Sequence, residues 1–273
     1  MRHDSLFTIS DEAVFYSFLN KFGINPLLDS FSAIDAVSAA FSHLPYENLT
    51  KIYKTDAVLT SKSAKRVPDE VLSDYLNFGT GGTCFSLTAS LVALLRRFKV
   101  ESFPILADRR YGADTHCGVM IIMNNSFFLL DPGYQIFEPR LLPVEEPFLY
   151  SSKFNNIRLI PKEMGKKVEL FTEIGNDKKY RLTYKINPLE SDDFGVAWER
   201  SFGWEMMNYP VLTKIIGNSQ HYFQGDLLTI KKDGKNEKMK LDRESGFCYI
   251  VNTLGISPEI AKKALEVIYG SNN

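Results

Sequence analysis

The sequence predicts an α+β fold in three parts: a helical N-terminal part, a β-rich middle and a mixed α/β C-terminal part. Three observations carry this expectation. Apolar residues recur at helical spacing through roughly the first hundred positions. The period then changes to the alternation of strands. Near the end, a strand-like run precedes a capped helix. The boundaries fall near residues 100 and 190, giving parts 1–100, 101–190 and 191–273.

Ser10-Asp11-Glu12 reads as an N-terminal cap before the run Ala13 to Leu19. A second amphipathic run, Ser32 to Phe41, is stopped by Pro45, and a third, Asp69 to Tyr75, ends near Gly79. In the fourth, Cys84 to Phe98, residues Leu87, Leu91, Leu94, Leu95 and Phe98 share one face and Arg96-Arg97 suit the last turn. His116 to Met123 and Ser126 to Leu130 read as strands joined by Asn124-Asn125, a suitable two-residue hairpin turn. Ile157 to Ile160, Val168 to Phe171, Tyr180 to Tyr184 and Leu227 to Ile230 are further strand candidates. Ser257-Pro258-Glu259 opens a last helix through Ala264, Leu265 and Ile268.

With 273 residues and 44% hydrophobic content, the chain can bury a sizeable core. Its formal net charge of -1 favours neither nucleic acid nor an anionic membrane surface. The Lys-rich stretch Lys231 to Asn236, which includes Asp233-Gly234, reads as the solvated turn of a hairpin. The three cysteines, Cys84, Cys117 and Cys248, form no disulfide framework and no CxxC pair, so no metal site is expected. The N-terminus, which includes His3, has no apolar run of signal length, and no stretch reaches membrane-spanning length. The expectation is a soluble, cytoplasmic protein in a reducing compartment.

The stretch Thr80-Gly81-Gly82-Thr83-Cys84 sets a cysteine at the start of the fourth helix, behind two glycines. A thiol there meets free N–H groups and a partial positive charge, which favour the reactive thiolate. Thr115-His116 and Leu130-Asp131 follow in order, suggesting nucleophile, base and orienting acid. The hairpin provides a check. If Asn124-Asn125 is the turn, Met123 faces Ser126 and Gly118 faces Asp131. His116 and Asp131 then share a face as diagonal neighbours, about 7–8 Å apart along the backbone, which two side chains can bridge. A one-residue slip would put them on opposite faces. Each residue also has a plainer reading: a lone cysteine is usually a small core hydrophobe, His116 could be a satisfied core histidine, and Asp131-Pro132-Gly133 could be a simple turn. Cys117 falls on the other strand face and Cys248 has no histidine beside it, so both are expected in the core. His43 and His221 carry no spacing argument.

Four motifs in order resemble the arylamine N-acetyltransferase family: Pro45-Tyr46-Glu47-Asn48-Leu49, Thr80 to Phe85, Thr115-His116, and Leu130-Asp131-Pro132-Gly133-Tyr134. The resemblance covers most of the chain and weakens after about residue 190. It implies a helical bundle, a β-barrel and an α/β lid with a cysteine-protease-like catalytic core built on Cys84, His116 and Asp131. It implies transfer of an acetyl group from acetyl-CoA, a substrate rather than a bound cofactor, to an arylamine, arylhydrazine or N-hydroxyarylamine. The partners implied are these small molecules, with neither nucleic acid nor membrane. In the family the turn after the aspartate lies by the acyl-donor entrance, which assigns Gly133 and Tyr134 to the donor. Three positions depart from the family pattern. Thr80 stands where the family has arginine, which leaves Glu47 without its usual partner. Pro132 and Gln135 stand where the family more often has valine and glycine. These departures keep two other readings open: a thiol acyltransferase, amide synthase or hydrolase using another acyl donor, and a non-catalytic ligand-binding descendant. The aromatics Phe128, Tyr134 and Phe223 are equally candidates for core and for acceptor pocket.

Overall fold

A computed structural model describes residues 5–58, 60–151, 154, 156–174, 177–232 and 235–270. The N-terminal part holds α1 (Glu12–Phe22), α2 (Ser30–Phe41), the two-residue strand β1 (Tyr46–Glu47), α3 (Leu49–Ala57), α4 (Ser61–Ala64), α5 (Pro68–Phe78) and α6 (Cys84–Arg97). Asp11 caps α1 as expected, accepting from the Ala13 and Val14 amides. Every residue of α6 from Cys84 to Leu95 is buried, because the helix is surrounded by α2, α5 and two barrel strands.

Eight antiparallel strands follow: β2 (Ser102–Arg109), β3 (Gly112–Met123), β4 (Ser126–Asp131), β5 (Ile136–Leu141), β6 (Phe148–Ser151), β7 (Asn156–Lys162), β8 (Lys167–Ile174) and β9 (Asp177–Lys185). Their order is β5-β4-β3-β2-β9-β8-β7-β6. All eight send buried residues into one cluster, from Ile105 and Met120 through Tyr150 to Leu170 and Tyr184. The sheet therefore curls around a single core as a nearly closed barrel. The β3–β4 hairpin has the expected register, Met123 opposite Ser126 through Val119 opposite Leu130. Asn124 and Asn125 take φ values of 49° and 57°, the left-handed pair that a type I′ turn requires.

After α7 (Ser191–Arg200) comes a second sheet of β10 (Val211–Ile216), β11 (Ser219–Gln224), β12 (Leu227–Lys232) and β13 (Lys235–Lys240), then α8 (Arg243–Asn252) and α9 (Pro258–Tyr269). Its fifth strand is β1, so the sheet order is β1-β10-β11-β12-β13 and the N-terminal part supplies one edge. Lys232 pairs with Lys235 in a hairpin, and the turn residues Asp233-Gly234 lie outside the described residues, as does His3. Among the described residues, no helix is long and apolar enough to cross a membrane.

Cys248 corrects an expectation. It is exposed, because α8 turns Gly246 and Ile250 inward and position 248 falls between them on the outer side.

Candidate active site

The loop before α6 is built by close backbone approach. Gly82 N–H donates to the Pro45 carbonyl at 3.3 Å and Glu47 N–H donates to the Gly82 carbonyl at 2.9 Å. A Cβ on Gly81 would lie 1.8 Å from the Pro45 oxygen, so no larger residue fits there. The Pro45 to Leu49 motif thus forms the wall that presses this loop into shape. Asn48 fastens the wall to the C-terminal part: its side chain donates to the Met206 and Tyr209 carbonyls and accepts from Val211 N–H at 2.8 Å.

Glu47 does not lack a partner. Its buried carboxylate accepts from the Thr50 hydroxyl at 2.6 Å and the Thr50 amide at 2.9 Å, and the Arg66 guanidinium lies 3.7 Å away. Arg66 also donates to the Gly81 carbonyl at 2.6 Å, to Thr50 Oγ1 at 2.6 Å and to Asp74 at 2.7 Å. A guanidinium from the turn before α5 thus reaches the loop where the family pattern would supply one from position 80.

Thr83 occupies the cap position of α6 without a side-chain capping bond. The first-turn N–H groups around Cys84 are therefore not taken up by a capping side chain. Cys84 is 3% exposed, and Asp131 and His116 are fully buried. His116 Nε2 lies 2.6 Å from Asp131 Oδ2. Asp131 also accepts from the Tyr184 hydroxyl, and through Oδ1 from the Tyr134 amide at 2.9 Å. Asp131 can only accept from Nε2–H, so the tautomer leaves Nδ1 as the acceptor. Nδ1 faces the Arg109 guanidinium at 3.0 Å, and the Cys84 thiol raises the ring's pKa from nearby. Gly133 packs over this group: a Cβ there would stand 2.7 Å from His116 Cε1 and 3.3 Å from Cys84 Cβ.

The protonation pattern follows from these contacts. The Cys84 thiol is held well below the ordinary thiol range by the Cys117 hydrogen bond first, against burial, and then by His116 and Arg109. Burial, and then the hydrogen bond and charge of Cys84, push Cys117 well up, so it remains a thiol. Cys117 points away from His116 into the helical core as expected, yet its sulfur meets Cys84 and lies 3.5 Å from Thr88 Oγ1. Burial opposes charge on His116, but the Asp131 carboxylate outweighs it and the imidazole pKa is raised, despite Arg109. Behind Cys84, burial brings Lys51 down to about 7, where it donates to the Ser201 carbonyl at 2.8 Å.

A cleft of about 520 Å³ opens in front of this group, between the barrel and the C-terminal sheet. Gly133 and Tyr134 line it, whereas Phe223 is buried in the C-terminal core and Phe128 packs against the helical core. Gln135, left-handed at φ 58°, bridges to Gln220 across the cleft. Sequence reasoning missed Arg66, Arg109, Tyr184 and Lys51. For Arg109 a signal existed: it lies two residues beyond Ala107, at the end of a strand whose Ile105 and Ala107 face the barrel core, where a charge is unexpected.

The chain is an α+β protein with a thiol at a helix start beside a histidine–carboxylate pair on a barrel. Comparison with solved structures narrows this to the fold of the arylamine N-acetyltransferases. A variant of the Mycobacterium smegmatis enzyme superposes with a TM-score of 0.77 at 15% identity, covering 95% of this chain and all of that one. The Mycobacterium abscessus enzyme gives 0.77 at 16%, covering 93% and 94%. The Mycobacterium marinum enzyme in complex with CoA gives 0.74 at 13%, covering 93% and 98%. No family model matches the chain, and no curated protein matches it in sequence.

Proposed function

We propose that this chain is an acyltransferase that moves an acetyl group from acetyl-CoA to the nitrogen of an arylamine or arylhydrazine, or to an N-hydroxyarylamine. Cys84 is the nucleophile, His116 the acid–base and Asp131 its orienting partner. In this reading residues 1–100 carry the nucleophile, 101–190 the base and acid, and 191–273 the outer wall of the cleft. The observation that carries it is the 2.6 Å His116–Asp131 contact beside a buried thiol of depressed pKa at the start of α6.

The chemistry is a double displacement. The Cys84 thiolate attacks the thioester carbonyl, and the first-turn amides of α6 are the nearest donors for the developing oxyanion. The carbon–sulfur bond to CoA breaks, and the departing thiolate takes its proton from the His116 imidazolium. The acceptor amine then attacks the acyl-cysteine and gives a proton to His116. The carbon–sulfur bond to Cys84 breaks, and the amide leaves. Asp131 holds the imidazole in the tautomer both halves need. Gly133 and Tyr134 flank the donor, the glycine because nothing larger clears His116.

Intact-protein mass after mixing with acetyl-CoA tests this. One acetyl adduct is expected on the wild type, absent from Cys84→Ala and discharged by adding an arylamine. A wild-type protein that stays unlabelled while its Cys84 is alkylated rapidly near neutral pH would overturn acetyl-CoA as donor. Slow alkylation as well would overturn catalysis altogether.

A further inference from the structure

The side chain that stands closest to the proposed acid–base without belonging to the triad is Arg109. Its Nη2 lies 3.0 Å from His116 Nδ1 and its Nη1 donates to the Tyr111 hydroxyl at 2.6 Å. The Nε–H is buried with no hydrogen-bond partner. Arg109 makes no ion pair with any described carboxylate: its neighbour Asp108 pairs with Lys185 instead. It shares the cleft lining with Arg110, Arg181 and Lys231, and no aspartate or glutamate is among the lining residues. The rings of Tyr111 and Tyr134 stand 5.9 and 5.6 Å from the guanidinium carbon, a soft setting that does not neutralise it. A guanidinium has five N–H groups in a fork that matches a carboxylate; the charge of Arg109 acts on the Cys84 thiolate, and acylation of Cys84 consumes that anion.

Position decides what kind of anion can satisfy it. Arg109 touches the His116 ring, and that ring and Cys84 both lie against Gly133, so the guanidinium stands at the reacting end of the cleft. A group bound there is carried on the reacting part of a substrate. The phosphates of a CoA donor lie a whole pantetheine arm away from the thioester.

We propose that Arg109 anchors a carboxylate carried by the substrate, so that this cleft favours acid-bearing acyl donors or acceptors over their neutral counterparts. The inference rests on the acyl-transfer reading and deepens it. The carboxylate is not consumed: the bonds made and broken are those of the double displacement, and the anion offsets the charge that Arg109 sets against the His116 imidazolium.

Two substrate pairs separate the sources. Succinyl-CoA against butyryl-CoA tests the acyl group, and 4-aminobenzoate against 4-aminobenzamide tests the acceptor. In one pair the wild type is expected to favour the carboxylate at least tenfold in kcat/KM. Arg109→Met should erase that ratio and Arg109→Lys should restore part of it. A readout independent of turnover comes from alkylation of Cys84 by iodoacetate and by iodoacetamide, with the exposed Cys248 as internal reference. The iodoacetate-to-iodoacetamide rate ratio at Cys84 should exceed that at Cys248 at least tenfold and fall to it in Arg109→Met. Ratios equal within twofold at the two cysteines, or a Cys84 ratio unchanged in Arg109→Met, overturn the proposal. Equal use of both members of both substrate pairs overturns it too. Failure of every thioester to label Cys84 would instead sink the acyl-transfer reading, and the alkylation ratio would still decide the role of Arg109.

Discussion

Arg66 holds the loop before Cys84 and Arg109 touches His116, and the fold surrounds the two differently. Arg66 lies beneath the loop with a side chain 3% exposed, facing the carboxylates of Glu47, Glu70 and Asp74 at 3.7, 3.7 and 2.7 Å. It also holds the Gly81 carbonyl and the Thr50 hydroxyl. Arg109 lies in the cleft with a tyrosine and a histidine for partners and no carboxylate. The first arrangement is closed: every element around Arg66 is protein, and its charge is balanced within the fold. The second is open on one side: Arg109 faces the Cys84 thiolate, and once that is acylated the balance has to come from whatever enters the cleft. Two residues of one type, near the same nucleophile, thus do structural work in one case and ligand work in the other.

Removing each arginine should break the comparison most sharply. Arg66→Met leaves Glu47 buried without its nearest cation, and a loss of about 3 kcal/mol in unfolding free energy is expected from denaturant titration. Arg109→Met should change stability by no more than about 1 kcal/mol, because the lost hydrogen bonds are offset by relief of desolvation. Similar destabilisation by both would erase the distinction.

A smaller effect concerns titration. Arg109 works against protonation of His116, whose pKa is already raised by Asp131 over the opposition of burial. Replacing Arg109 by Met should raise the His116 pKa further, so the imidazolium persists to higher pH. The midpoint in the histidine proton resonance should move up, and a downward or absent shift would count against a direct charge effect. The smallest effect belongs to Gln135. Gln135→Gly relieves a left-handed backbone at φ 58° and gives up the bridge to Gln220. These oppose each other, so stability should change by less than about 1 kcal/mol. Movement in the preference between neutral acyl donors would show that the bridge shapes the cleft.

Much of the candidate site was legible because its signals are local. The glycine pair before Cys84, the helical period after it and the Asn124-Asn125 turn each lie within a few residues. The turn alone sets the register that brings His116 onto one face with Asp131. Helices α1, α2, α5, α6 and α9 and strands β3, β4, β7, β8, β9 and β12 were legible for the same reason, whereas α3, α7, α8 and β2 were not read. Other features depend on sequence-distant encounters. β1 has two residues and meaning only beside β10. Arg66 reaches Gly81 from the turn before α5, and Tyr184 reaches Asp131 across 53 positions. Cys248 was misread because one cysteine in Gly246-Phe247-Cys248-Tyr249 carries no face information until the helix is oriented. The expected loss of a partner for Glu47 failed similarly: a substitution at position 80 says nothing of a guanidinium arriving from another element.

β1 has a consequence for how the reaction centre is assembled. Tyr46 and Glu47 pair with β10 on one side and meet the Gly82 backbone on the other. Asn48 is held by Val211, 163 positions away. The cradle of the nucleophile is therefore one of the most non-local pieces of the molecule. The wall that presses the Cys84 loop into place is secured only when the last third of the chain docks. The loop that carries the thiol is therefore clamped in its final shape only when the fold is complete.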